Sequence, residues 1–249
     1  MSKTMKHTLP TLVAPTFELT LPSTGKTIKY RPFLVKEEKI LLMSMESGET
    51  KQMSRAIRQI IDDCTNNKLD VDSLPLFDVE YIFLQLRSKS VGETAEPMII
   101  CPKCKESTKI KLNIAEVEVQ KSEDHDTKIK ITDQVGVVMN YPQLKLSEDF
   151  DLAEIESDSE LAFDVIIRCI DQIWSGEDLW EAKEVGLDAV REFVDNMSQE
   201  QFTKVAGFFE TMPQLKHVLD FTCPHCKDKM DITLQGLNDF FDSPSATTI

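Results

Sequence analysis

The chain has 249 residues, of which 41% are apolar and 29% charged. That balance excludes an intrinsically disordered chain and allows a core large enough to fold without disulfides. A formal net charge of −15 argues against nucleic acid as a partner, because phosphate binding needs positive surface, and suits a basic protein partner instead.

Residues 1–16 read as a loose arm. Met1 to Pro10 hold no apolar run and no later stretch approaches the ~20 apolar residues that span a bilayer, so neither a signal peptide nor a membrane segment is expected, and the cytosol is the expected compartment. Phe17, Leu19 and Leu21 alternate with Glu18 and Thr20. Ser23-Thr24-Gly25-Lys26 follows as a turn, and Ile28 and Tyr30 resume the alternation, so a β-hairpin bracketed by Pro22 and Pro32 is predicted. Val35 to Met45 is an apolar-rich helical block that Gly48 breaks. Met53, Ala56, Ile57, Ile60, Ile61 and Cys64 then recur at the spacing of an amphipathic helix. After the turn-rich piece Asn66 to Pro75, a third helix carries Val79, Ile82, Phe83 and Leu86 on its buried face. The alternation at Lys128, Ile129, Lys130 and Ile131 before Gly136 predicts a strand and a turn.

Between Leu146 and Glu160 lie seven carboxylates and no base: Glu148, Asp149, Asp151, Glu154, Glu156, Asp158 and Glu160. They suit either a docking face for a basic partner or a solvated loop running into a helix N-terminus, where carboxylates complement the dipole. Ala162, Val165, Ile166, Cys169, Ile170 and Ile173 form one stripe, predicting a helix closed by Ser175-Gly176. Trp174 and Trp180 flank the following stretch and read as packing residues. Val190, Phe193, Val194 and Met197 mark another helix. Ser198 to Gln201 fits a capping box that opens a last helix bearing Phe202, Val205 and Phe209 and ending at Pro213.

The six cysteines divide by context. Cys64 and Cys169 sit alone on apolar helical faces and read as core residues. The other four form two pairs, Cys101-Pro102-Lys103-Cys104 and Cys223-Pro224-His225-Cys226. A C-x-x-C turn aims two sulfurs at one point, and two turns complete the tetrahedron that zinc prefers, at about 2.3 Å from each sulfur. The flanks repeat as well. Ile99 and Phe221 precede the pairs by two positions, Lys105 and Lys227 follow them, and Ile110 and Leu112 match Ile232 and Leu234. Each copy therefore reads as a knuckle on a two-stranded hairpin, the two meeting in a zinc ribbon. Ordinary ribbons separate their pairs by about 15–20 residues; here 118 residues intervene, which implies an inserted, mostly helical unit. Redox chemistry is disfavoured, because strand patterns follow both pairs where a redox motif would open a helix. Four thiolates also leave no open catalytic position.

No phosphate-binding glycine loop, nucleophile elbow or H-E-x-x-H is present. His7, His125, His217 and His225 read as ordinary surface residues. No catalytic residue, and so no enzyme, is expected.

Several stretches resemble a known family: Tyr30-Arg31-Pro32-Phe33-Leu34-Val35-Lys36-Glu37-Glu38-Lys39, Asn67-Lys68-Leu69-Asp70 to Leu74-Pro75, Phe77-Asp78-Val79-Glu80-Tyr81 through Leu84, and Lys89-Ser90-Val91-Gly92-Glu93. Together with the C-P-x-C pairs they are similar to the baseplate hub proteins of T4-like contractile-tailed bacteriophages, most densely over residues 15–115. The resemblance implies a non-enzymatic subunit or assembly factor of the tail baseplate. It would work through contacts with other baseplate or hub proteins, in the host cytoplasm during assembly or in the virion tail.

The expected fold is α+β: a flexible arm (1–16), an N-terminal hairpin-plus-helices domain (17–95), a split four-cysteine zinc ribbon (96–116 and 215–236), a mainly helical insertion (117–214) and a tail (237–249). The metal ligands are Cys101, Cys104, Cys223 and Cys226, holding one structural zinc per chain. The alternative function is a zinc-ribbon nucleic-acid-binding or transcription accessory protein, which Lys103, Lys105, Lys109 and Lys111 favour and Asp228, Asp231 and the net charge oppose.

Overall fold

The computed structural model describes residues 12–146 and 158–240. Most of the N-terminal arm, most of the acidic stretch 148–160 and the last nine residues lie outside them. Strand β1 (Phe17–Thr20) pairs antiparallel with β2 (Thr27–Tyr30), Phe17 opposite Tyr30 and Leu19 opposite Ile28. Gly25 turns the hairpin at φ +69°, a left-handed conformation that costs glycine nothing. Helices α1 (Val35–Ser47), α2 (Thr50–Thr65) and α3 (Leu76–Ser90) follow. Ile57, Ile60, Ile61 and Cys64 of α2 meet Val79, Ile82, Phe83 and Leu86 of α3 and Leu19, Ile28 and Tyr30 of the hairpin in one cluster. The 3.6-residue spacing read from the sequence is what builds this core. On α1, Val35, Leu42, Met43 and Met45 are exposed.

A buried ion pair joins hairpin to helix here. Glu37, with no exposed surface, accepts from the Arg31 guanidinium at 2.7 Å and from the Leu34 N–H at 2.7 Å. Lys36 Nζ lies at 3.1 Å. Burial alone would raise the Glu37 carboxyl, but Arg31, the Leu34 amide and Lys36 together hold it down at about 2. The Arg31 N–H also donates to the Cys64 carbonyl at 3.0 Å. The stretch Tyr30 to Lys39 is thus a clamp that fixes hairpin, α1 and α2 to one another.

The two cysteine knuckles stand on matching hairpins. Strand β4 (Met98–Ile100) pairs with β5 (Ser107–Lys109), and the same hairpin is extended by β3 (Thr94–Ala95) with β6 (Leu112–Asn113). Pro97 supplies no N–H, which breaks this ladder in two. The second copy has no such residue, and β12 (Gln214–Thr222) pairs without interruption with β13 (Lys229–Gln235). Strand β7 (Val119–Gln120) adds to β12. Ile99, Leu112 and Ile114 from the first copy pack with Leu215, Phe221 and Leu234 from the second, and with Leu84 and Phe240. Residues 237–240 were expected in a polar tail. Instead Gly236–Phe240 forms helix α8, because Phe240 finds a fully buried seat in this cluster.

The stretch between the knuckles holds a third cluster, and among its described residues a four-stranded sheet stands beside the helices. Strands β8 (Lys128–Lys130) and β9 (Val135–Met139) join β10 (Ile170–Ser175) and β11 (Asp178–Glu181) in an antiparallel sheet of order β11-β10-β9-β8. Helix α4 (Asp158–Cys169) stops where a helix was expected to run on to Ile173. From Ile170 the chain pairs with β9, and Ser175-Gly176 becomes a hairpin turn rather than a helix end. Helices α5 (Ala182–Val185), α6 (Leu187–Asp195) and α7 (Gln199–Thr211) complete the unit. Asp164 of α4 binds Arg168 at 2.7 Å and Arg191 of α6. The capping box is present, with the Ser198 N–H donating to Gln201 Oε1 at 2.8 Å and the Gln201 N–H to Ser198 Oγ at 3.3 Å. Gly136 has a packing reason: a Cβ there would lie 2.4 Å from the Trp174 ring and 2.5 Å from the Ile129 carbonyl.

Candidate metal centre

Each knuckle is built by the same backbone device. The Lys105 N–H donates to the Cys101 carbonyl at 2.8 Å and the Cys101 N–H to the Glu106 carbonyl at 2.9 Å. In the second copy Lys227, Cys223 and Asp228 repeat both bonds at 2.9 Å. The turn closes through a left-handed residue, Lys105 at φ +63° and Lys227 at φ +62°. A lysine in this conformation carries a cost that glycine would avoid; the side chain is retained at both positions.

These turns bring the four sulfurs together. All lie within 4.8 Å of one another. The contacts between knuckles are 3.8 Å for Cys101–Cys226 and 3.6 Å for Cys104–Cys223. A zinc tetrahedron with bonds of about 2.3 Å has edges of about 3.8 Å, whereas a disulfide needs about 2.05 Å. The spacing fits a four-thiolate metal site and no cross-link. Cys101 and Cys223 are fully buried, and Cys104 and Cys226 half-buried.

The backbone also prepares the sulfurs to ionise. The N–H groups of Cys226 and His225 donate to Cys223 and, against burial, lower its thiol to about 6. The Glu106 N–H favours the Cys104 thiolate, but burial and the neighbouring thiols push Cys104 up to about 12. Four thiols this close cannot all ionise unaided, and a divalent cation among them removes that conflict.

An ion pair crosses the site: Lys103 Nζ of the first knuckle lies 2.8 Å from Asp228 Oδ1 of the second. In the sequence these two residues point to opposite functional readings; in the fold they are partners. Lys111 lies 3.9 Å from Glu96, so two of the four lysines that suggested nucleic acid face carboxylates. Cys64 and Cys169 are core residues remote from the sulfur cluster, both buried and both raised by burial to about 12. His125 is half-buried rather than a surface residue, its ring nitrogens 3.0 Å from Thr211 Oγ1 and from Tyr141 Oη.

A family model described as T4 bacteriophage base plate protein matches residues 14–242. The chain belongs to that family. The matched span takes in the β1–β2 hairpin, both knuckles, the four-stranded sheet between them and α8, so the family relationship covers all three clusters of this baseplate protein. No curated protein and no solved structure matches the chain. No helix among the described residues is long and apolar enough to cross a membrane.

Proposed function

We propose that this baseplate protein is a non-enzymatic component of the tail hub, or of the apparatus that builds it, working through protein contacts on a framework pinned by one structural zinc. The observation that carries the reading is the convergence of Cys101, Cys104, Cys223 and Cys226 in a protein of a baseplate family. With four thiolate ligands the metal has no open position, so it stabilises and does not catalyse. Zinc's two charges leave the thiolate set at about −2, which the nearby Lys103, Lys105 and Lys227 offset.

On this reading the two knuckle hairpins are one ribbon divided by an inserted α/β unit. The hairpin-plus-helices unit lies before it, and α8 closes the ribbon. Contact surfaces for other hub proteins are the edges of the β1–β2 hairpin, the N-terminal arm and the acidic stretch 148–160. The paired lysines and the charge of −15 weigh against the nucleic-acid alternative.

Deleting the gene tests the function. Infected cells should make filled heads and replicate genomes but accumulate no complete baseplates in electron micrographs. Normal tails with failed transcription or replication would refute the reading.

A further inference from the structure

The edge of the inserted sheet carries an interaction site that the family assignment does not specify. Strand β11 pairs only with β10, and its other side is open among the described residues. Alternate residues of such an edge turn their N–H and C=O groups outward, ready to pair. The opposite edge, β8, presents Lys128 and Lys130, the kind of residue that blunts an edge against pairing. Strand β11 presents Leu179, 56% exposed, and Trp180, 42% exposed.

These two side chains end rows that run across the whole sheet. On the face packed by helices the row is Ile129, Val137, Ile173 and Trp180. On the other face it is Lys130, Gly136, Trp174 and Leu179. Neither row is closed by a polar residue at β11. A further strand laid beside β11 would extend both rows and cover both side chains.

The charge around the edge selects the strand. Glu177, Asp178, Glu181 and Glu184 surround Leu179 and Trp180, and Lys183 is the only base in that stretch; it is held by Glu181 at 2.6 Å. A second copy of β11 pairing antiparallel about Leu179 would set Glu177 of one copy against Glu181 of the other, and like charges directly opposed destabilise a ladder. We propose that β11 is a docking edge for an extended segment of another protein in which basic and apolar residues alternate, adding a fifth strand to the sheet. This rests on the reading that the protein works through protein contacts, and it names one surface for them.

The test uses the full-length chain and two short synthetic peptides, one alternating lysine with valine and one alternating glutamate with valine. The lysine peptide should bind at least about tenfold more tightly than the glutamate peptide, and it should slow amide exchange in residues 178–181. Trp180→Ala should weaken binding by about tenfold or more, as for a central aromatic anchor. The double change Asp178→Lys and Glu181→Lys should reverse the peptide preference, and circular dichroism of both variants should match wild type. Binding that protects the β1–β2 hairpin or α1 instead of β11 would overturn this inference and leave the wider function standing. So would equal binding of both peptides, or no binding. Dimers that Trp180→Ala abolishes would replace the foreign strand with a second copy.

Discussion

Replacing Glu37 with Gln tests whether the clamp of hairpin, α1 and α2 works by charge. The amide keeps the shape and can still accept from the Leu34 N–H, so the change removes mainly the pairing with Arg31. The Glu37 carboxyl is held at about 2 against its ordinary 4.5; at 1.36 kcal/mol per pH unit this corresponds to about 3 kcal/mol. That agrees with the ~3–5 kcal/mol lost when one member of a buried pair is removed. Lys36 adds little, because it is well exposed. For a chain of this size each kcal/mol shifts the melting temperature by about 2–4 °C, so Glu37→Gln should lower it by about 6–12 °C at neutral pH. The sign with pH follows from the depressed carboxyl. Its stabilisation is complete above about pH 4.5 and is lost as the pH falls towards about 2. The gap between wild type and variant should therefore close over that window in calorimetric melts. A variant that melts within a degree or so of wild type at pH 7, or a gap that stays constant from pH 5 to 2, would refute the reasoning.

Four further outcomes follow from the structure. Protein purified without added metal should carry one equivalent of zinc by elemental analysis. Cys104→Ser should lose both the zinc and several kcal/mol of stability, while the core change Cys64→Ser keeps the zinc; a Cys104→Ser protein that retains metal would exclude this ligand set. Gly136→Ala should cost about 1–3 kcal/mol and alter Trp174 fluorescence, since the added methyl meets an indole ring and a backbone carbonyl together. Ser198→Ala should cost about 1 kcal/mol in chemical denaturation through loss of the α7 cap, and Ser198→Thr should restore most of it.

Features written in local chemistry were legible from the sequence. The hairpin at Phe17 to Tyr30 has alternation and a glycine turn, α2 has a clean helical period, and the knuckles share Cys-Pro-x-Cys-Lys and the spacing of their apolar flanks. The switch at Ile170 was not legible. Ile166, Cys169, Ile170 and Ile173 satisfy a helical stripe, and only pairing with β9 and β11, set by distant chain, decides for a strand. Burial of Glu37 was hidden for a similar reason: in the run Lys36-Glu37-Glu38-Lys39 it looks like one more surface charge, and its partner, Arg31, lies on the hairpin. Phe240 was lost among polar neighbours because its seat is made by the two knuckle hairpins and α3. The meeting of the four sulfurs could be anticipated from residue type and spacing, whereas the Lys103–Asp228 pair across them depends on how the two hairpins face.

The distance in sequence between the knuckles sets an order of events during synthesis. The first pair leaves the ribosome with 118 residues still to come before the second, which at about 5–20 residues per second takes roughly 6–24 s. Throughout that interval the nascent chain offers the metal only half a coordination shell, while the β1–β2 hairpin and helices α1–α3, which precede the first pair, have already been made. The proposed centre can therefore close only after the four-stranded sheet between the knuckles has been made, and metal capture would follow the synthesis of that sheet.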